Sequence, residues 1–180
     1  MPAVRKAKAA DICQIAGIYN RIHTEEENKR SHTGWIRDVY PSESTALEAL
    51  HAGELFVMTE GETVVAAARI NQVQVPEYKD ALWENQEVLP KQVMVLHTLT
   101  VDPAFAGKGY GTAFVKFYEE YAREQGCSSL RMDTNEKNDA ARRLYGRLGY
   151  REAGIVPCTF EGIPDVRLVC LEKQLTKTVR

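Results

Sequence analysis

Val101-Asp102-Pro103-Ala104-Phe105-Ala106-Gly107-Lys108-Gly109-Tyr110-Gly111-Thr112 lies between an apolar, strand-like run and an amphipathic, helix-like run. Three glycines at alternate positions remove Cβ atoms where the backbone turns into a helix, so successive N–H groups can converge on an anion at the helix's positive end. The stretch therefore predicts a phosphate cradle with a phosphorylated cofactor as its ligand; a plain connector between strand and helix is the other reading. Spacing narrows the cofactor. A nucleoside-triphosphate loop requires G-x-x-x-x-G-K-[ST], whereas Lys108 sits between two glycines with no Ser or Thr after it. A dinucleotide fingerprint requires G-x-G-x-x-G early in a parallel unit, whereas Gly107, Gly109 and Gly111 give G-x-G-x-G more than halfway along the chain.

Around this loop the chain alternates between strand and helix patterns. Gln92 to Val101 predicts a central strand with Val93, Val95, His97, Leu99 and Val101 on one face and Met94, Leu96, Thr98 and Thr100 on the other. Both faces are largely apolar, so both should be covered. Thr112 to Gln125 carries Phe114, Phe117, Tyr118 and Tyr121 at helical spacing and stops at Gly126. Ser129 to Asp133 alternates as a strand, and Asn138 to Arg147 is helical with Gly149 as its stop. Tyr150 to Val156 and Asp165 to Glu172 are two last strands, joined by a loop with Gly162 and Pro164.

Upstream, Ala3 to Lys8 reads as a short strand, and Asp11 opens a helix with Ile12, Ile15, Ile18, Tyr19 and Ile22 on one face. Thr24 to Arg37 reads mainly as loop. Thr45 to Glu48 has the form of a capping box ahead of Leu47 and Leu50, with Gly53 after it. Leu55 to Met58 and Thr63 to Ile70 form a hairpin about Glu60-Gly61. Gln74 to Lys91, polar apart from an isolated Trp83, is a long excursion of the kind a fold retains for function. The element order is β-α-α-β-β-β-α-β-α-β-β, and a chain of 180 residues predicts one domain over 1–180.

A second motif lies about thirty residues after the glycines, in Asn138-Asp139-Ala140-Ala141-Arg142-Arg143-Leu144-Tyr145-Gly146-Arg147-Leu148-Gly149-Tyr150. Asn138 and Tyr145 are seven apart, two turns along one helical face, and can look at one ligand. Tyr145 as a core aromatic with its hydroxyl at the surface is the alternative. Together the two motifs resemble motifs A and B of the GNAT superfamily of acetyl-CoA-dependent N-acetyltransferases. Gly109 and Gly111 match the glycines of [QR]-x-x-G-x-[GA], with Ala106 where the family has Gln or Arg; N-x-x-A-x-x-x-Y-x-x-x-G-[FY] matches from Asn138 to Tyr150. Trp35 to Pro41 and the run 131 to 135 resemble small bacterial members.

The resemblance implies an α/β (α+β) GNAT fold: a mixed, mostly antiparallel sheet splayed at the fourth strand, with helices on both faces. It implies transfer of the acetyl group of acetyl-CoA to a primary amine (a small metabolite, amino acid or peptide) by direct attack in a ternary complex, with coenzyme A as product and no metal. Ala106, Gly107, Lys108, Gly109, Tyr110, Gly111 and Thr112 would hold the pyrophosphate. Leu99, Thr100, Val101 and Asn138 would hold pantetheine, the backbone at Leu99 would serve the carbonyl oxygen, and Tyr145 would protonate the departing thiolate. A bulge is expected near Leu99 or Thr100. His97, two residues before Leu99 on the same strand, is the leading candidate base, against a hydrogen-bonded core role; His23 and Asp133 are candidates for a water-mediated one. Tyr19, His23, Trp35, Tyr40, Tyr78 and Trp83, in the first helix or the long loops, are the expected acceptor-side residues. A noncatalytic acyl-CoA sensor and a protein or peptide acetyltransferase are the competing functions.

Composition excludes several classes. The formal charge of −2 supplies no basic field for nucleic acid. Cys13, Cys127, Cys158 and Cys170 form no C-x-x-C, and the four histidines form no H-x-x-x-H, so neither zinc nor a disulfide framework is expected. No apolar signal segment or membrane-length run is present, so a cytoplasmic location is expected. Glu25-Glu26-Glu27 reads as a solvated face, and a homodimer through an exposed edge of the last strands stays open.

Overall fold

A computed structural model describes residues 2–176. Its elements follow the expected order: β1 (Ala3–Lys6), α1 (Ile12–Glu27), α2 (Glu43–His51), β2 (Leu55–Glu60), β3 (Thr63–Asn71), β4 (Val93–Val101), α3 (Tyr110–Glu124), β5 (Ser129–Asn135), α4 (Asp139–Arg147), β6 (Arg151–Phe160) and β7 (Ile163–Gln174). All seven strands join one sheet in the order β1-β2-β3-β4-β5-β7-β6. Every neighbouring pair is antiparallel except β4 and β5.

Apolar alternation along the strands builds a core on each face. Phe56, Met58, Met94, Leu96, Leu130 and Leu171 pack against Phe114, Val115 and Tyr118 of α3. On the opposite face Leu55, Val57 and Ala67 pack against Ile15, Ile18 and Ile22 of α1 and Ala46 and Ala49 of α2. The rest of that second face carries Val93, Val95, Leu168 and Cys170 and, among the described residues, has no α-helix over it; the segment between β3 and β4, with a 3-10 turn at Pro76–Asp80, covers it with Tyr78, Ala81 and Trp83. The long excursion is thus mainly a layer of the fold, tied down where Leu82 N–H donates to the Ala153 carbonyl (2.7 Å) and Glu84 N–H to Glu172 (2.7 Å).

Several boundaries differ from the sequence reading, and four of them bear on the site or its supports. The helix α1 runs on to Glu27 because its last-turn carboxylates are engaged: Glu26 accepts from the backbone of Thr33 and Gly34, and Glu27 pairs with Arg37. Helix α2 starts at Glu43, since the capping box is Ser42 with Thr45 and not Thr45 with Glu48. α3 begins at Tyr110, directly after Gly109. Between β6 and β7 there is no loop but a two-residue turn, Glu161-Gly162, with both φ positive (50° and 81°), the twist that joins adjacent antiparallel strands; Pro164 lies within β7.

The decisive local event is in β4. Arg69 pairs with His97 but Ala67 with Thr100, so β4 holds one residue more than β3 over this span. Thr98 takes a left-handed backbone (φ 54°), and neither Thr98 nor Leu99 has a partner in the β3 register. An inserted residue inverts the alternation that follows it. Val93 and Val95 face the second core, whereas Leu99 and Val101 join Met94 and Leu96 on the α3 side. His97 and Leu99 therefore do not share a face, contrary to the simple two-residue period. On its other side β4 pairs with β5 only from Val93 to Val95, and the strands then part. Tyr118 sits at the fork, its hydroxyl against the carbonyls of Met94 (2.6 Å) and Arg131 (3.2 Å).

Candidate active site

The V between β4 and β5 opens into a cleft of about 960 Å³, within the range of small-molecule sites. One arm is walled by the glycine loop. Asp102 starts that loop by accepting from the Ala104 N–H (3.0 Å), and Arg21 of α1 grips the same carboxylate. Gly107 and Gly109 both have φ 78°, and nothing lies within 4 Å of where a Cβ would stand on either. The left-handed backbone requires glycine there, and the open space faces the start of α3. That first turn carries no acidic side chain, so its positive end stays uncompensated. A Cβ on Gly111 would stand 3.3 Å from Leu144, so this glycine lets α4 close on α3. A cradle of this form suits a pyrophosphate, and the residues present fit coenzyme A.

Ala106, Gly107, Gly109, Tyr110 and Gly111 line this arm, followed by Leu99, Thr100 and Val101 of the bulged strand. Lys108 and Thr112 do not line it: Lys108 is exposed with its ammonium 5.0 Å from the Phe105 ring centroid, and Thr112 is inside the first helical turn. Across from β4, Asn138 caps α4 by accepting from the Ala141 N–H (3.2 Å), which leaves its amide nitrogen for the cleft. Tyr145 lines the junction with its ring edge against Tyr150, and burial holds its phenol well above the ordinary range. It is therefore protonated at neutral pH.

The second arm is lined by Tyr19, Trp35, Tyr40, Asp133 and, at its mouth, Glu161. Tyr40 is buried and its hydroxyl bonds that of Thr98, tying this arm to the bulge. Asp133 accepts from the Tyr78 hydroxyl (2.6 Å). His97 lies in the cleft wall, its Nε2 donating to Asn71 Oδ1 (2.6 Å). Burial, with Arg69 next in weight, lowers the imidazole to about 4, so it is neutral at pH 7.

Three expected acceptor residues lie outside the cleft lining. Trp83 is buried in the covering segment, where it donates to the Tyr78 carbonyl (2.7 Å) under the Arg131 guanidinium. His23 is 2% exposed and donates through Nε2 to the Pro41 carbonyl (2.8 Å), outside the cleft lining. Tyr78 stands behind the cleft, hydrogen-bonded to Asp133. An apolar stripe or a lone aromatic does not tell a core position from a wall, and the arm's Thr98 and Glu161 belong to no functional motif along the chain.

Residues 14–150 match the family model described as the acetyltransferase (GNAT) family. The chain belongs to this GNAT family. Among curated relatives, an uncharacterized N-acetyltransferase of Methanocaldococcus jannaschii is 35% identical over 66 residues, 37% of this chain; the match spans 29% of that relative's length. A GNAT-family acetyltransferase of Streptococcus agalactiae has the same fold, with a TM-score of 0.83 at 21% identity over 98% of this chain and 96% of that one. The protein yncA of Salmonella typhimurium, solved with its cofactor acetyl-CoA, aligns at a TM-score of 0.70 and 19% identity over 100% of this chain and 97% of that one. This chain has the GNAT acetyltransferase fold, and among its described residues no helix is long and apolar enough to cross a membrane.

Proposed function

We propose that this GNAT protein transfers the acetyl group of acetyl-CoA to a primary amine by direct attack within a ternary complex. The observation that carries the reading is the continuity of the cleft: one cavity joins the glycine cradle to the aromatic and carboxylate-lined arm, with the β4 bulge and Tyr145 at the junction. Acetyl-CoA brings an already activated thioester, so no covalent acyl-enzyme is needed and positioning supplies much of the rate. The N–H groups from Gly107 to Gly111 hold the diphosphate, and Asn138 with the unpaired edge of β4 holds the arm that follows. The Leu99 N–H, outside the β3 register, donates to the carbonyl oxygen as charge develops on it. Tyr145 gives its proton to the departing sulfur. Tyr19, Trp35 and Tyr40 wall the amine, and the carboxylates of Asp133 and Glu161 favour its approach as an ammonium ion. His97, neutral and tied to Asn71, is a wall residue in this reading.

The test is thiol release from acetyl-CoA across a panel of amines, amino acids and peptides. Acceptor-dependent turnover is expected. Tight cofactor binding with no turnover on any member would instead mark a sensor of acyl-CoA.

A further inference from the structure

The structure assigns Asp133 as the general base of this reaction and Tyr78 as the residue that positions it. This rests on the transferase reading above. Asp133 is a partly exposed carboxylate of the cleft wall, and it differs from the carboxylates that the fold buries outright. Asp11 pairs with Arg5, Asp102 with Arg21, Glu119 with Lys173 and Glu172 with Arg151, each within 3 Å. Burying a carboxylate is unfavourable unless a cation or a set of donors compensates, so these pairings are what a structural role requires. Asp133 is not paired in this way. Among the described residues its side chain meets a phenol, Tyr78, and no cation.

The neighbours explain why no cation reaches it. Arg131, on the same strand, is spent on Gln74 and the Asn85 carbonyl, and Arg69 on Glu54. The groups facing Asp133 from the other elements are neutral or acidic: Tyr78 and Glu77 from the covering segment, Tyr40 from the stretch after α1, Tyr145 from α4, Cys158 and Cys170 from β6 and β7, and Glu161 from their turn. Burial above all, opposed by the Tyr78 hydrogen bond and reinforced by Glu77 and Glu161, lifts the carboxyl from its ordinary value to about 7. A carboxylate so placed is ionised over part of the neutral range and basic enough to accept a proton there. It lies where β5 has parted from β4, in the same cleft as Leu99 and Tyr145.

The protons balance without a further reactant. The entering ammonium group gives one proton to the Asp133 carboxylate, which later releases it to water. The freed lone pair forms the N–C bond, the C–S bond breaks, and the sulfur takes the Tyr145 proton. The surplus proton on the new amide nitrogen restores the Tyr145 hydroxyl.

The experiment is the pH dependence, from 5 to 9, of kcat/KM for the best amine of the panel, together with 13C titration of the Asp133 carboxyl, its resonance identified by its absence in Asp133→Asn. In the wild-type protein both should titrate near 7. Asp133→Asn should lower kcat/KM about 10²- to 10³-fold and abolish the low-pH limb, with acetyl-CoA affinity by calorimetry kept within about 2-fold. Tyr78→Phe should keep turnover but move limb and carbon titration together to higher pH, a shift that a merely structural Tyr78 would not produce. A limb that persists in Asp133→Asn, or a carboxyl that titrates below pH 5, overturns the assignment while leaving the transferase reading intact. If the wild-type protein binds acetyl-CoA but acetylates no amine, the transferase reading fails, and the base role fails with it.

Discussion

Arg21 of α1 reaches both carboxylate oxygens of Asp102, Nε to Oδ1 at 3.0 Å and Nη2 to Oδ2 at 2.7 Å. The helix that carries Tyr19 to the acceptor arm is thereby fastened to the residue that starts the glycine loop. Asp102 is 3% exposed, so removal of Arg21 leaves a buried charge without its cation. Because the Arg21 side chain is itself 50% exposed, water takes up part of the loss, and Arg21→Ala should cost about 1–2 kcal/mol of stability. It should also raise KM for acetyl-CoA several-fold with a smaller change in kcat, as a loosened loop would. Thermal melts and steady-state kinetics check both.

Gly109 and Gly111 should respond differently to alanine. At Gly109 the left-handed backbone is the constraint and space is free, so Gly109→Ala forces the loop to rearrange at a cost of about 1–2 kcal/mol, and acetyl-CoA affinity should fall about 10-fold. At Gly111 the new methyl meets only the end of Leu144, which can move, so Gly111→Ala should cost about 1 kcal/mol or less. Calorimetry with coenzyme A separates the two; equal losses would show that the strained backbone at Gly109 is not what shapes the cradle.

Tyr145→Phe should lower kcat about 10²-fold while acetyl-CoA binds as before, since the ring packing against Tyr150 is retained and only the proton donor is lost. An unchanged kcat in the folded variant would return Tyr145 to the role of a core aromatic.

His97 supplies a stability test of its own. Its folded value of about 4 lies below the ordinary 6.5, so between these two pH values the unfolded chain binds more protons than the folded one. Stability contributed by the neutral imidazole is complete above about pH 6.5 and is lost as pH falls toward 4, by up to about 3 kcal/mol. His97→Gln, which can still donate to Asn71, should therefore be less sensitive to acid than the wild-type protein, with similar melting at pH 7.5. If His97 is a wall residue, the variant's kcat/KM profile also keeps its low-pH limb.

The chain's local chemistry determined the class of the protein by itself. The glycine loop, the Asn138 to Tyr150 run and the helical and alternating apolar periods each depend on residues within a few turns of one another, and such patterns can be read along the chain. What the tertiary structure decided is which way the functional groups face. The bulge at Thr98 and Leu99 is set by pairing with Ala67 and Arg69 some thirty residues away, and it turns His97 from the face of Leu99. Trp83 and His23 look like acceptor residues in one dimension and are core residues in three. The setting of Asp133 has the same origin: Tyr78, Glu77 and Glu161 come to it from separate segments and none brings a cation, an arrangement that no local pattern encodes.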